Sequence, residues 1–132
     1  MAIEEKREIS AGTLTVRVAE EESERTIALS GELDLANADA LEVELEEAMS
    51  GVAKVVIDMR ELEFIDSTGI ALLIGAMSRD GDSPRLSFVP SEFAAVTRVL
   101  ELTGVTERMP IAGADSPAAA ASSPEADGLQ TA

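Results

Sequence analysis

Asp66, Ser67 and Thr68 set a carboxylate and two hydroxyls side by side, and Gly69 follows them directly. Side chains of these types do one of two things where a helix begins. Their oxygens accept the backbone N–H groups that the first turn leaves open. The same place also suits an added phosphate, because the helix dipole and the open amides stabilise negative charge there. A single cap needs one oxygen-bearing side chain, so three in succession leave a hydroxyl over for a second task. Two further aspartates stand apart from this cluster: Asp34 in "GELDLANADAL" and Asp58 in "KVVIDM".

The residue types that are missing narrow the chemistry. The chain contains no His, Cys, Trp or Tyr, and its only lysines are Lys6 and Lys54. Imidazole acid–base catalysis, thiolate nucleophiles, and nitrogen or sulfur metal ligands are therefore excluded. Without cysteine there are no disulfides, which is compatible with the cytosol. A small hydrolase working through Asp34, Asp58 and Asp66 would need a phosphate-binding glycine loop or a persuasive metal spacing, and neither is present. Asp58 ends an apolar run, the place where response-regulator receivers carry a phospho-accepting aspartate. Receivers also need a lysine on the last strand, and no lysine follows Lys54. Asp58 is accordingly expected to be a strand-end carboxylate satisfied by nearby amides. Neither an enzyme nor a bound cofactor or metal is expected.

The chain has 132 residues, 10 basic against 26 acidic, for a formal net charge of −16 at pH 7. Such a surface repels nucleic acid and anionic membranes and attracts a basic protein partner. The longest uncharged apolar run, Ile70 to Met77, is too short to cross a bilayer. The first seven residues lack the basic-then-apolar order of a secretory signal. A cytoplasmic location is expected.

The elements that must position these groups follow from periodicity. "TLTVRVA" (13–19) alternates Leu14, Val16 and Val18 with polar residues, and "RTIALSG" (25–31) repeats the pattern, which predicts an antiparallel hairpin. Asn37 is placed to cap a helix that carries Asp39 in its first turn, turns Leu41, Leu45, Ala48 and Met49 inward, and stops at Gly51. "KVVIDM" (54–59) reads as a strand buried on both faces, followed by a connecting segment. The Asp66 cluster then opens a helix with Ile70, Leu73, Ile74 and Met77 in register, which "RDGDSP" breaks. "RLSFVP" predicts another strand, closed by Pro90. Ser91 caps a third helix with Phe93, Val96 and Leu100 inward and Gly104 past its end. "VTERMPIA" is a candidate for a last short strand. The order β-β-α-β-α-β-α predicts an α/β domain, a mixed sheet with helices packed against it, over residues 1–112. Residues 113–132 are small and polar, Pro117 and Pro124 bracket a run of alanines, and Leu129 is their only large apolar side chain. They are expected to form a disordered tail.

Taken in order, "GELDLANADAL" (31–41) and "VVIDMRELEFIDSTGIALL" (55–73) resemble the STAS family, specifically the anti-sigma factor antagonists of bacterial partner switching. The resemblance covers residues from about 12 to 110 and leaves out the tail. It implies a STAS-like mixed sheet and a protein that catalyses nothing. It also implies that Ser67 is the phosphorylated serine, Asp34 and Asp66 its acidic surroundings, Thr68 the second hydroxyl and Gly69 part of the helix start. The partners implied are an anti-sigma factor that is a serine kinase of the ATPase fold, bound when Ser67 is unmodified and released by phosphorylation, and a PP2C-like phosphatase that restores binding. The same domain also serves as a non-switching scaffold in stress-signalling complexes, and that reading stays open beside the first.

Overall fold

The computed structural model describes residues 5–51, 54–81, 84–113 and 116–121. Three strands come first: β1 (Glu5–Ala11), β2 (Leu14–Glu21) and β3 (Glu24–Leu33). They alternate with helices from there on, through α1 (Ala38–Met49), β4 (Lys54–Ile65), α2 (Ser67–Arg79), β5 (Leu86–Val89) and α3 (Ala94–Leu102). A 3-10 turn at Val105–Arg108 and a short helix, α4 (Pro117–Ala121), complete the described chain.

One sheet takes the strands in chain order, β1-β2-β3-β4-β5. The β1–β2 and β2–β3 pairs are antiparallel hairpins, whereas β3–β4 and β4–β5 are parallel. The parallel pairs need crossovers, which α1 and α2 provide. The β2–β3 hairpin closes over the two residues Glu22 and Ser23, at φ 54° and 68°. A two-residue loop with both φ values positive matches the twist of the flanking strands.

Alternation along each strand gives the sheet one apolar face. Leu14, Val16 and Val18 of β2 and Ile27, Leu29 and Leu33 of β3 point to the same side, with Val55, Ile57, Met59, Leu62 and Ile65 of β4 and Leu86 and Phe88 of β5. The helices close over that face with Leu41 and Leu45 of α1, Leu73 and Ala76 of α2, and Val96 and Leu100 of α3. Each fully buried leucine contributes about 1.5–3 kcal/mol, so Leu, Ile and Val supply the packing that three phenylalanines alone could not.

Several expectations need correction. β1 has only Ile9 as a large apolar residue among charged neighbours, so its alternation is faint; pairing with β2 makes it a strand. β4 does not end at residue 59. It runs on to Ile65 beside the end of β3, with register irregularities between Ala28 and Ser30 and between Gly31 and Glu32. These shifts turn Leu62 and Ile65 to the core while Glu61 and Glu63 stay in water, and so hide a strand from any strict two-residue pattern. Phe93 is not inward: it is the N-cap residue of α3 and is 42% exposed. Ser91 accepts the Phe93 N–H at 2.9 Å and donates to the Leu62 carbonyl at 2.7 Å, so it fastens the start of α3 to β4. In place of a last strand there is the 3-10 turn and one parallel bridge, Ile111 to Phe88. Within the stretch expected to lack order, residues 116–121 pack on the sheet, for reasons given below; residues 122–132 lie outside the described residues.

Candidate functional site

β4 hands directly over to α2 through Asp66, the N-cap residue, in extended conformation at φ −105° and ψ −175°. Its two carboxylate oxygens do separate work. Oδ1 accepts the Gly69 N–H at 3.0 Å and closes the first turn of α2. Oδ2 accepts the Leu35 N–H at 3.2 Å from the loop after β3. The Asp66 N–H donates in turn to the Leu33 carbonyl at 3.1 Å. One aspartate thus starts the helix and ties it to residues 33–35, so the two sequence motifs meet in space.

The loop carrying Asp34 is built just as tightly. Asn37 is 2% exposed. It occupies the N-cap position of α1, but its side chain makes no cap bond. Instead Oδ1 accepts the Asp34 N–H at 2.9 Å and Nδ2 donates to the Glu32 carbonyl at 3.0 Å. Asn37 is therefore a staple across its own loop rather than the helix cap expected. Asp34 turns its carboxylate into the loop, where Oδ1 accepts the Ala36 N–H at 3.0 Å. Gly31 explains the first glycine of the motif. It sits at φ +98°, and a Cβ there would stand 2.0 Å from the Thr13 carbonyl oxygen, so no larger residue fits.

Ser67 and Thr68 are the first two residues of α2. Ser67 is exposed and Thr68 half-buried. Neither hydroxyl hydrogen-bonds to any of the described residues, since capping falls to Asp66. Gly69 is buried because α2 starts hard against the strand ends. An added Cβ would meet Ile65 Cγ1 at 2.7 Å and Leu33 Cγ at 2.8 Å. The result is an exposed serine at the positive end of a 13-residue helix, directly after the capping aspartate Asp66.

Asp58 stands apart from this group. It is 8% exposed and lies within β4 rather than at its end. Its Oδ1 accepts both the Arg60 backbone N–H at 3.1 Å and Arg60 Nε at 2.9 Å, and its Oδ2 takes Arg60 Nη2. A guanidinium shares the role expected of amides alone. Sequence reasoning missed Leu35, which is 75% exposed beside Asp66, and Phe64, 45% exposed and register partner of Glu32. The signal for Leu35 was a large apolar residue in a polar turn with no periodic partner. Among the described residues no group of three or more carboxylates is placed to hold a metal, and no helix is long and apolar enough to cross a membrane.

Comparison with known proteins agrees with this architecture. A family model described as "Mlab, STAS domain" matches residues 16–111. The anti-sigma-F factor antagonist RsfB of Mycobacterium tuberculosis is 29% identical over 94 residues, 70% of this chain and 76% of that protein. An anti-sigma F factor antagonist of Paenibacillus polymyxa is 28% identical over 87 residues, 64% of this chain and 74% of its own length. The crystal structure of an anti-sigma factor antagonist from Mycobacterium paratuberculosis shares 26% identity at a TM-score of 0.72, covering 86% of this chain and 97% of that one. The Asp34 loop, the β4–α2 handover and the strands β3 to β5 all fall within the matched residues, and the chain belongs to the STAS domain family.

Proposed function

We propose that this chain is an anti-sigma factor antagonist that works by partner switching, with Ser67 as its phosphorylation site. The observation that carries the reading is the Ser67 hydroxyl, exposed on the first residue of α2 and not engaged by the described residues. The antagonist names of its relatives supply the class of partner. In this reading the unmodified protein binds an anti-sigma factor that is a serine kinase of the ATPase fold, and the sigma factor is set free. The exposed Leu35, whose backbone bonds to Asp66, and the exposed Phe64 of β4 would supply apolar contacts, and acidic residues the rim that meets a basic partner.

Phosphoryl transfer forms a bond from Ser67 Oγ to the γ-phosphorus of ATP as the bond to the bridging oxygen breaks. ADP leaves, and the hydroxyl proton passes to a base of the kinase. The product carries about −1.5 to −2 extra charge at one point. An interface that closed over a neutral hydroxyl must then bury a dianion next to Asp66 and Asp34. Desolvating such a group without a matched cation costs several kcal/mol, enough to dissolve a complex with no change in the fold. A PP2C-like phosphatase restores the hydroxyl by adding water across the O–P bond.

The test is to incubate the protein with its kinase and ATP, map the phosphate by mass spectrometry, and measure kinase binding by titration. Ser67→Ala is expected to bind and accept no phosphate, and Ser67→Asp to bind at least about tenfold more weakly. Phosphate mapped to any other residue, Thr68 included, refutes the assignment. Failure of the unmodified chain to bind any such kinase favours the scaffold reading.

A further inference from the structure

The sheet buries a second, smaller patch on the face away from the large helices. Side chains alternate along paired strands, so Glu24, Thr26 and Ala28, register partners of Lys54, Val56 and Asp58, point away from Ile27, Leu29, Val55 and Ile57. Val56 is only 2% exposed although it stands outside the main core cluster. The segment of residues 116–121 packs against β4 and bonds to Glu24 and Arg60.

Two residues of the sheet, Glu24 and Arg60, hold that segment down. Ser116 Oγ donates to Glu24 Oε2 at 2.7 Å. The Ala118 N–H donates to the same oxygen at 3.1 Å, and to Ser116 Oγ at 3.2 Å. From the other side Arg60 Nη2 donates to the Ala118 carbonyl at 3.0 Å. Glu24 is the register partner of Lys54, and Arg60 is held by Asp58, so a residue bonded to both bridges the two ends of the face that carries Val56. Ala118, 4% exposed, is small enough to fit there.

Glu24 is 5% exposed, and among the described residues no cation lies within salt-bridge distance of it. Its charge is compensated by the hydroxyl and the amide of the segment. Desolvation of the carboxylate and its charge-assisted hydrogen bonds oppose each other and are of similar size. A five-residue helix adds little stability of its own. The contact therefore rests on a few hydrogen bonds to Glu24 and Arg60.

We propose that Ser116–Ala121 is a reversible strap across the back of the sheet, with the Glu24 carboxylate as its catch. A negative group on Ser116, whether a phosphate or an aspartate, would confront that carboxylate at hydrogen-bonding distance and release the strap. Opening bares the sheet face that carries Val56. The device is separate from the Ser67 site, because Glu24 starts β3 whereas Asp34 follows its other end, about 30 Å away along the strand.

Amide hydrogen exchange on the full-length chain tests this. The Ala118 amide is expected to exchange at least about tenfold more slowly than an unstructured alanine. Ser116→Asp should abolish that protection while the amides of β2, β3 and β4 keep theirs. Glu24→Ala should do the same, and should it fail to fold, Ser116→Asp decides alone because Ser116 lies outside the main core. An Ala118 amide unprotected in the unaltered protein, or indifferent to Ser116→Asp, overturns the proposal. So does protection that rises with protein concentration, since the segment would then be docking on a second copy.

Discussion

Replacing glycine by alanine at two positions of the same helix is expected to move stability in opposite directions. Alanine in place of glycine favours a helix interior by about 1 kcal/mol, a gain available in full at Gly75 of α2 and in part at Gly69 in its first turn. The surroundings differ. At Gly75 the nearest atom to a new Cβ is Arg79 Nη1 at 3.5 Å, the tip of a flexible, exposed side chain. At Gly69 the Cβ would stand 2.7 Å from Ile65 Cγ1 and 2.8 Å from Leu33 Cγ. Ile65 and Leu33 are 3% and 0% exposed, so neither side chain can swing out into solvent. Overpacking a filled core costs about 1–3 kcal/mol, and in the first turn the propensity gain is smaller than in the interior, so the clash wins. Gly69→Ala should destabilise by about 1–2 kcal/mol and Gly75→Ala should stabilise by about 0.5–1 kcal/mol. At about 4 °C per kcal/mol for a domain of this size, the two Tm values should differ by roughly 8 °C. The chain has no Trp or Tyr, so unfolding is best followed by far-UV circular dichroism, in heat and in urea. Equal shifts in the two variants, or a Gly69→Ala protein as stable as the parent, would refute the claim that α2 begins in contact with the strand ends.

Two further substitutions probe the polar framework. Asp66→Ala removes the acceptor of the Gly69 and Leu35 N–H groups together and should cost about 2 kcal/mol, whereas Asp66→Asn keeps one oxygen and should lose about half as much; identical urea midpoints for the two variants would show that only one oxygen matters. Asp58→Ala leaves the largely buried Arg60 guanidinium without its carboxylate and should cost about 3 kcal/mol, much of it recovered on adding Arg60→Met, and a double-mutant cycle with no coupling would contradict the pairing.

Legibility in the sequence followed how local each cause was. The β2–β3 hairpin and all three long helices show in periodicity, because one strand face or one helix stripe decides them. β1 and the second half of β4 were hidden because their pairing carries them rather than their composition: Ile9 alone marks the first, and register shifts scramble the second. Asn37 was read as a cap because its type and place suit one, yet the Glu32 carbonyl and the Asp34 amide draw its side chain across the loop. Phe93 fits the periodicity of α3, but the helix begins one residue after it. Nothing in a run of small residues announces that Ala118 has a site to fill, because Glu24 lies 94 positions away in the chain.

By itself the order of residues determined that catalysis would lack imidazole and thiol, that the surface would be strongly acidic, and that an aspartate followed by two hydroxyls would open a helix. These are properties of composition and of contacts a few residues long. Only the tertiary structure decided that Asp66 would serve two segments at once, that Gly69 must stay bare, and that residues 116–121 would bond to Glu24 and Arg60 on the far face of the sheet. Each of those depends on atoms brought together from positions far apart, and distance along a chain carries no record of where sheet pairing will place them.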